Sequence, residues 1–125
     1  MAKKTTLKNK ADKLWRKLGK ENAVCEICSH YPELKVNYTQ LHPHHIVGRR
    51  NMTLRWDLRN RCWLCPYHHT FGVKSAHSDP RWFNEYMEKF RKEDNDYLLE
   101  RKNVLTHLTI EGLEEIIESL SHEQE

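Results

Sequence analysis

Two closely spaced cysteine pairs, Cys25-x-x-Cys28 and Cys62-x-x-Cys65, constrain the fold of this chain more than any other feature. Two cysteines three residues apart can wrap one metal ion in a tight knuckle, and thiolates suit zinc. A Cys/His pair of equal spacing, Cys65-Pro-Tyr-His68, leaves five candidates for the four ligand positions of a tetrahedral site. The competing interpretation is four buried thiols without a metal, which would require two pairs to fall at this spacing by accident.

The size of the chain makes a structural metal useful. It has 125 residues, of which 38% are hydrophobic and 31% are charged, so it can build one small domain with a modest core. A bound metal would stabilise such a domain. No stretch of about 20 apolar residues is present, and the lysine-rich N-terminus lacks the apolar run of a secretory signal. We therefore expect a cytoplasmic protein with no membrane partner. Because the cytoplasm is reducing, we expect its cysteines to bind metal and not to form disulfides.

Charge is distributed unevenly along the chain. Residues 1–20 carry a balance of +7 and residues 41–74 a balance of +5, whereas residues 109–125 carry −6. Two basic segments suggest a polyanionic partner such as DNA. A solvated helix face followed by an acidic tail would give the same pattern, so charge alone leaves both interpretations open.

Hydrophobic periodicity predicts helices at both ends of the chain. The predicted helices cover 5–18, about 80–92, 95–103 and 110–120. Lysines fill the face of the first helix opposite its apolar side. Asp79-Pro80 is typical of a helix start, and the helix that it opens carries an aromatic stripe. Because the stripe has helical spacing, it favours core packing over base stacking.

Nine histidines are present, and six of them fall within 36 positions: His42, His44, His45, His68, His69 and His77. Adjacent residues on a strand point to opposite faces, so His44 and His45 can serve different tasks, one on a metal and one on a water. The two β-branched residues that follow them, Ile46 and Val47, predict a strand that ends at a turn at Gly48. We expect the return strand and a loop within 51–64, and a helix that begins near Pro66 or Tyr67.

The order of these residues resembles the HNH endonuclease family, in particular its phage and prokaryotic members. The residues that carry the resemblance are His44-His45-Ile46, Asn60 and Leu64-Cys65-Pro66-Tyr67-His68-His69, with Trp56-Asp57-Leu58 and Ser75-Ala76-His77 as supporting matches. The resemblance implies an α+β fold for a single domain, 1–125. A small ββα-metal core with zinc knuckles would occupy 22–78, between a basic helix at 1–20 and a helical C-terminal extension at 79–125.

The chemistry that the resemblance implies is metal-dependent hydrolysis of DNA phosphodiester bonds, which leaves 5′-phosphate and 3′-hydroxyl ends. His44 and His69 would hold one divalent metal (Mg²⁺, Mn²⁺, Ni²⁺ or Zn²⁺) against the scissile phosphate. His45 would be the general base on the attacking water, because imidazole titrates near neutral pH. Asn60 would orient the His45 loop through hydrogen bonds.

The chain departs from the family pattern at the second knuckle. Members with a structural zinc usually place cysteine immediately before the last histidine, whereas His68 stands at that position here. Because histidine also binds zinc, we expect one structural Zn²⁺ held by Cys25, Cys28, Cys65 and His68. A four-cysteine site, in which Cys62 replaces His68, stays open.

DNA is the expected partner, and Arg49 and Arg50 are expected to bind its backbone phosphates without reading sequence. A non-catalytic zinc-binding nucleic-acid module would explain the cysteine pairs and the basic segments, but not the nuclease order of the histidines and Asn60. A protein-interaction adaptor would use the acidic segment 110–125. A homodimer and a metal-binding role for His77 are left open by the sequence.

Overall fold

The computed structural model describes residues 2–123, and within that range five α-helices accompany one two-stranded antiparallel sheet. The elements in chain order are α1 (Ala2–Lys17), α2 (Glu26–His30), β1 (His42–His45), β2 (Arg61–Leu64), α3 (Pro80–Phe90), α4 (Lys92–Arg101) and α5 (Ile110–His122). The predicted α+β class is therefore confirmed. Each helix in the described range is too short or too polar to traverse a lipid bilayer.

Local sequence signals set the starts of the C-terminal helices. Asp79 caps α3 by accepting a hydrogen bond from the Trp82 amide at 3.1 Å, and Pro80 occupies the first turn. Thr109 caps α5 in the same way, through the Gly112 amide at 2.9 Å. The helix start predicted from the Asp-Pro pair is thereby confirmed.

The hairpin fixes which face of the strand each histidine occupies. His42 lies opposite Leu64, and His44 lies opposite Cys62. Alternation along β1 directs these two histidines to one face and His45, at the end of the strand, to the other. The sequence prediction that the adjacent histidines point to different faces is consistent with this register.

The connection between the strands covers residues 46–60. The return strand is expected within 51–64, and β2 lies at the end of that range, Arg61–Leu64. A 3₁₀ turn at Leu58–Asn60 occupies the preceding positions, because the Asp57 carboxylate caps it through the amide two residues later at 2.9 Å. The long connection carries polar side chains to the cleft described below.

A five-residue π-helical turn, Tyr67–Phe71, stands where the sequence predicts the start of a longer helix. Gly72 ends this turn and packs directly against Tyr67. A Cβ at residue 72 would lie 2.5 Å from the Tyr67 ring, and the Gly72 amide donates to the Tyr67 carbonyl at 2.7 Å. The chain then turns back, and the amide of His77 donates to the carbonyl of His69 at 3.0 Å. Two histidines eight positions apart are thereby brought side by side.

Two hydrophobic clusters fill the described part of the chain. The first lies among α2, β2 and α3, where Phe83 and Tyr86 are 5% and 1% exposed. The aromatic stripe of α3 therefore serves the core, as predicted. The second cluster lies between α1 and α5 and includes Trp15, Leu113 and Ile117. α1 thus has an apolar face against α5 and a lysine-bearing face that is largely exposed.

Candidate active site and metal centres

An open cleft of 690 Å³ lies among α1, β1, the loop after β1 and the π-helical turn. Five histidines line it: His42, His44, His45, His69 and His77. The loop after β1 adds Arg49 and Arg50, and α1 adds Asp12, Trp15 and Arg16. The cleft therefore gathers five of the six clustered histidines together with the two predicted phosphate-binding arginines.

Three of the cleft histidines are close enough to share a metal ion. One ring nitrogen from each of His44, His69 and His77 lies within 4.8 Å of the other two. β1 supplies the first, the π-helical turn supplies the second, and the backbone hydrogen bond after that turn brings in the third. The structure thus brings together His44 and His69, the two predicted metal ligands, and adds His77. In the sequence, the Ser75-Ala76-His77 match was the one indication that His77 belongs near this site.

His42 occupies one side of His69. The Nδ1 atoms of the two rings are 3.0 Å apart, so one of them donates a hydrogen bond to the other. When Nδ1–H of His69 is the donor, its Nε2 carries the lone pair and can bind a metal, an arrangement that is common for ligand histidines. Sequence reasoning assigned no role to His42.

The surroundings keep the metal-facing rings neutral. Burial lowers the pKa of His44 to about 3, and repulsion from the neighbouring His69 and His77 adds to this effect. Burial also lowers the pKa of His69 to about 4, with further contributions from His77 and His42. Neutral imidazole is the form that binds a metal ion, so near pH 7 neither ring has to lose a proton first.

His45 is held by two contacts that define its ring plane and its tautomer. Its Nε2–H donates to the Arg55 carbonyl at 3.0 Å, and because a carbonyl only accepts, Nδ1 carries the lone pair. Its ring stacks on the indole of Trp15, with centroids 3.8 Å apart and planes 9° from parallel. Burial lowers the pKa of His45, the Arg55 carbonyl opposes this, and the charges of Arg49 and Arg55 lower it further. Near pH 7 the residue is a neutral base.

Asn60 fastens the loop that follows His45. It is fully buried, and its Oδ1 accepts from the Val47 amide at 2.7 Å. Its Nδ2 donates to the Val47 carbonyl at 2.9 Å and to the Leu54 carbonyl at 3.1 Å. The side chain therefore lies beneath the loop and is hydrogen-bonded to both the amide and the carbonyl of Val47.

The arginines at the rim of the cleft share a carboxylate from α1. The Arg49 side chain is 63% exposed, and its Nη2 lies 3.7 Å from Oδ2 of Asp12. Asp12 also accepts two hydrogen bonds from Arg55, at 3.0 and 2.7 Å, and one from the Trp56 indole at 2.8 Å. Burial raises the pKa of Asp12, but these hydrogen bonds outweigh it and the pKa is lowered overall. Arg50 is exposed at the same rim.

A second candidate metal centre is built from cysteines. The Sγ atoms of Cys25, Cys28 and Cys65 lie within 4.8 Å of one another. Thiolates on one tetrahedral zinc are about 3.8 Å apart, so the grouping fits such an ion. Burial raises the pKa of Cys28, and burial raises the pKa of Cys65 to about 12. These thiols therefore need a cation beside them to ionise near pH 7.

His68 and Cys62 were the rival candidates for the fourth zinc ligand, and neither belongs to the group of three sulfurs. His68 is fully buried, and its Nε2 lies 2.9 Å from the Leu34 carbonyl, which places the lone pair on Nδ1. That Nδ1 has no hydrogen-bond partner among the described residues. A buried acceptor without a partner is uncommon, and a metal ion would satisfy it. Cys62 is fully buried, with its pKa raised well above normal by burial and by Glu26.

One cleft therefore combines groups that could bind a metal, accept a proton and attract a phosphate. The cleft presents three neutral imidazoles that can hold a metal, a fourth whose Nδ1 lone pair is available, and exposed arginines. Comparison with known proteins finds no family model, curated protein or solved structure that matches the chain. The function is therefore inferred from the side chains and their arrangement.

Proposed function

We propose that this protein is a metal-dependent DNA endonuclease of the HNH type. In this proposal β1, β2 and the π-helical turn form its ββα-metal core. The observation that carries the proposal is that one cleft holds a group of three histidines and a separate fourth histidine. His44 and His69 meet His77 on one side of β1, while His45 points from the other with Nδ1 available.

His45 would take the proton from the attacking water at Nδ1. Its Nε2–H stays on the Arg55 carbonyl throughout, so the imidazolium that forms keeps its orientation. The water oxygen forms the new bond to phosphorus as the bond to the 3′ oxygen breaks. The 3′ oxygen takes a proton from solvent, which leaves 5′-phosphate and 3′-hydroxyl ends. Asn60 would keep the His45 loop in place while this happens.

His44, His69 and His77 would hold the divalent ion, which when bound offsets charge on the phosphate oxygens and stabilises the leaving 3′ oxygen. Three nitrogen donors suit Mn²⁺, Ni²⁺ or Zn²⁺ better than Mg²⁺, which prefers oxygen ligands. We therefore expect the transition metals to support faster cleavage than Mg²⁺ does. Arg49 and Arg50 would bind backbone phosphates on either side of the reacting one.

The cysteine group would hold one structural zinc, with Nδ1 of His68 as the fourth ligand after a rearrangement of its ring. Two thiols of the group, Cys28 and Cys65, have a pKa that burial raises, and His68 has a buried imidazole nitrogen with no hydrogen-bond partner among the described residues; both observations support this choice over Cys62. A reducing compartment such as the cytoplasm would keep the thiols available for the ion.

Nicking of supercoiled plasmid DNA by the purified protein tests the proposal, with Mn²⁺, Ni²⁺, Zn²⁺ and Mg²⁺ supplied in turn. We expect His45→Ala to lower the rate by about 10²- to 10⁴-fold, the usual contribution of a general base. His107→Ala, an exposed histidine outside the cleft, is the matched control and should cut at the wild-type rate. If the folded wild-type protein binds DNA but cuts it with none of these metals, the protein is a non-catalytic nucleic-acid-binding module.

A further inference from the structure

We propose that helix α1, which lies outside the motif residues 22–78, aligns the general base: Trp15 and Asp12 are positioning residues for His45. The inference rests on the proposed role of His45 and extends the catalytic apparatus to a helix outside the motif residues, to which the sequence assigns only a lysine-rich face and a hydrophobic face. Each residue acts on a different contact of the imidazole, so the two contacts are taken in turn.

Trp15 sets the plane of the His45 ring. The two rings are nearly parallel, 9° apart, at a centroid separation of 3.8 Å, so one whole face of the imidazole is covered. The indole itself is fixed, since Trp15 is 1% exposed and its Nε1–H donates to the Asp57 carbonyl at 2.9 Å. Rotation about the last torsion of histidine is otherwise loosely restricted. The stacked indole therefore removes a freedom that would turn Nδ1 away from the cleft.

Asp12 fixes the hydrogen-bond acceptor of His45. Its two carboxylate oxygens receive Nε and Nη2 of Arg55 at 3.0 and 2.7 Å, a two-point contact with strict geometry. Trp56 adds a third hydrogen bond, at 2.8 Å, to the same carboxylate. Arg55 is 8% exposed, and its backbone carbonyl is the group that receives Nε2–H of His45. Holding residue 55 in place therefore keeps the proton on Nε2 and the lone pair on Nδ1.

The two residues reach the cleft together because they are three positions apart on one helix, and so lie on the same face of α1. That face continues into the cluster with α5, which anchors the helix. The metal ligands thus come from residues 22–78, whereas α1 keeps His45 in position.

Steady-state nicking kinetics on the full chain test the proposal through Trp15→Leu, which removes the aromatic face, and Trp15→Phe, which restores one. We expect Trp15→Leu to lower kcat about tenfold, a fraction of the full general-base contribution, with KM for DNA within about twofold of wild type. Trp15→Phe should recover most of kcat. The matched control is Leu113→Ala, which loosens the same α1–α5 cluster without touching His45. Rates are compared per folded molecule, with folding checked by circular dichroism.

Equal losses of kcat in Trp15→Leu and Leu113→Ala, or no recovery in Trp15→Phe, would show that Trp15 is only a core residue. Should Trp15→Leu fail to fold, Asp12→Asn carries the test, since it weakens the contact that holds Arg55. It should lower kcat without raising KM for DNA, because loss of the carboxylate also frees Arg49 for phosphate, and an unchanged kcat would overturn the proposal. Long-range ¹H–¹⁵N spectra of histidine-labelled protein give a second measurement that needs no cleavage. Wild-type His45 should be in the Nε2–H form and Asp12→Asn, which weakens the hold on Arg55, should show a mixture; an unchanged tautomer overturns the proposed role of Asp12. If that mixture appears although the wild-type protein does not cut DNA, the positioning stands and the endonuclease function fails.

Discussion

Replacing Asn60 with alanine should both destabilise the protein and slow cleavage. The substitution leaves the amide and the carbonyl of Val47 without partners, whereas the Leu54 carbonyl keeps its hydrogen bond from the Asp57 amide at 3.1 Å. Each of the two stranded groups costs about 1–3 kcal/mol, so we expect the free energy of unfolding to fall by about 2–6 kcal/mol. In a domain of this length, that corresponds to a loss of roughly 10–20 °C in Tm.

The rate should fall further than the loss of folded protein explains, because Val47 stands two residues after His45 and its loop would relax. Urea unfolding gives the free energy, and plasmid nicking per folded molecule gives the rate. Asn95→Ala is the matched control. Asn95 is also buried, at 4% exposure, and donates to Glu88 at 2.8 Å, but it lies on α4, away from the cleft.

Two results would refute the reasoning about Asn60. An unchanged urea midpoint would mean that water replaces the lost hydrogen bonds and that the side chain carries little of the loop's stability. A nicking rate per folded molecule that falls equally in Asn60→Ala and Asn95→Ala would mean that general loosening, and not the position of the His45 loop, sets the rate.

Three further predictions address the metals, the DNA contact and pH. Cys28→Ser should lose bound zinc and Cys62→Ser should retain it, as measured by elemental analysis of the purified variants; the opposite pattern would place Cys62 among the ligands. Lys13→Ala with Lys17→Ala should weaken DNA binding and flatten the plot of log K against log salt by about 0.9 per lost phosphate contact, and an unchanged slope would mean that α1 is merely solvated. Because the pKa of His44 is about 3 in the folded protein and 6.5 is its ordinary value, the unfolded chain takes up the proton first. Metal-stripped protein should therefore lose stability as pH falls from about 6.5 towards 3, and urea midpoints for His44→Asn should show a smaller loss over that range.

Much of the fold could be predicted because its signals are local. The Asp79-Pro80 start and the aromatic stripe of α3 depend on a cap, a fixed proline torsion and helical spacing, all visible in a short window. The π-helical turn could not be predicted in the same way. It ends where it does because Gly72 approaches the Tyr67 ring too closely for any side chain, and that contact exists only in the folded chain. The long connection before β2 likewise depends on the three hydrogen bonds of Asn60.

The residues of the candidate site likewise include some whose placement could be predicted and others whose placement depends on tertiary packing. The pairing of His44 with His69 is what the family resemblance implies, and the structure brings the two rings together. His77 joins them through a backbone hydrogen bond after a turn, a placement that spacing in the sequence does not encode. Trp15 has helical spacing typical of a core residue, and it is one; its second contact, with His45, depends on tertiary packing alone.

The packing of α1 against α5 has a consequence for the order in which the protein matures during translation. α1 is made early, but its apolar face, including Trp15, finds its main partner only when Ile110–His122 has emerged from the ribosome. At ordinary elongation rates that delay is roughly 5–20 s. By the end of that interval the nascent chain carries the cleft histidines, from His42 to His77, but α1 still lacks the α5 face on which it packs. Alignment of His45 would therefore come only after α5 has been synthesised, and chains that terminate before α5 would be released with their histidines present and His45 unaligned.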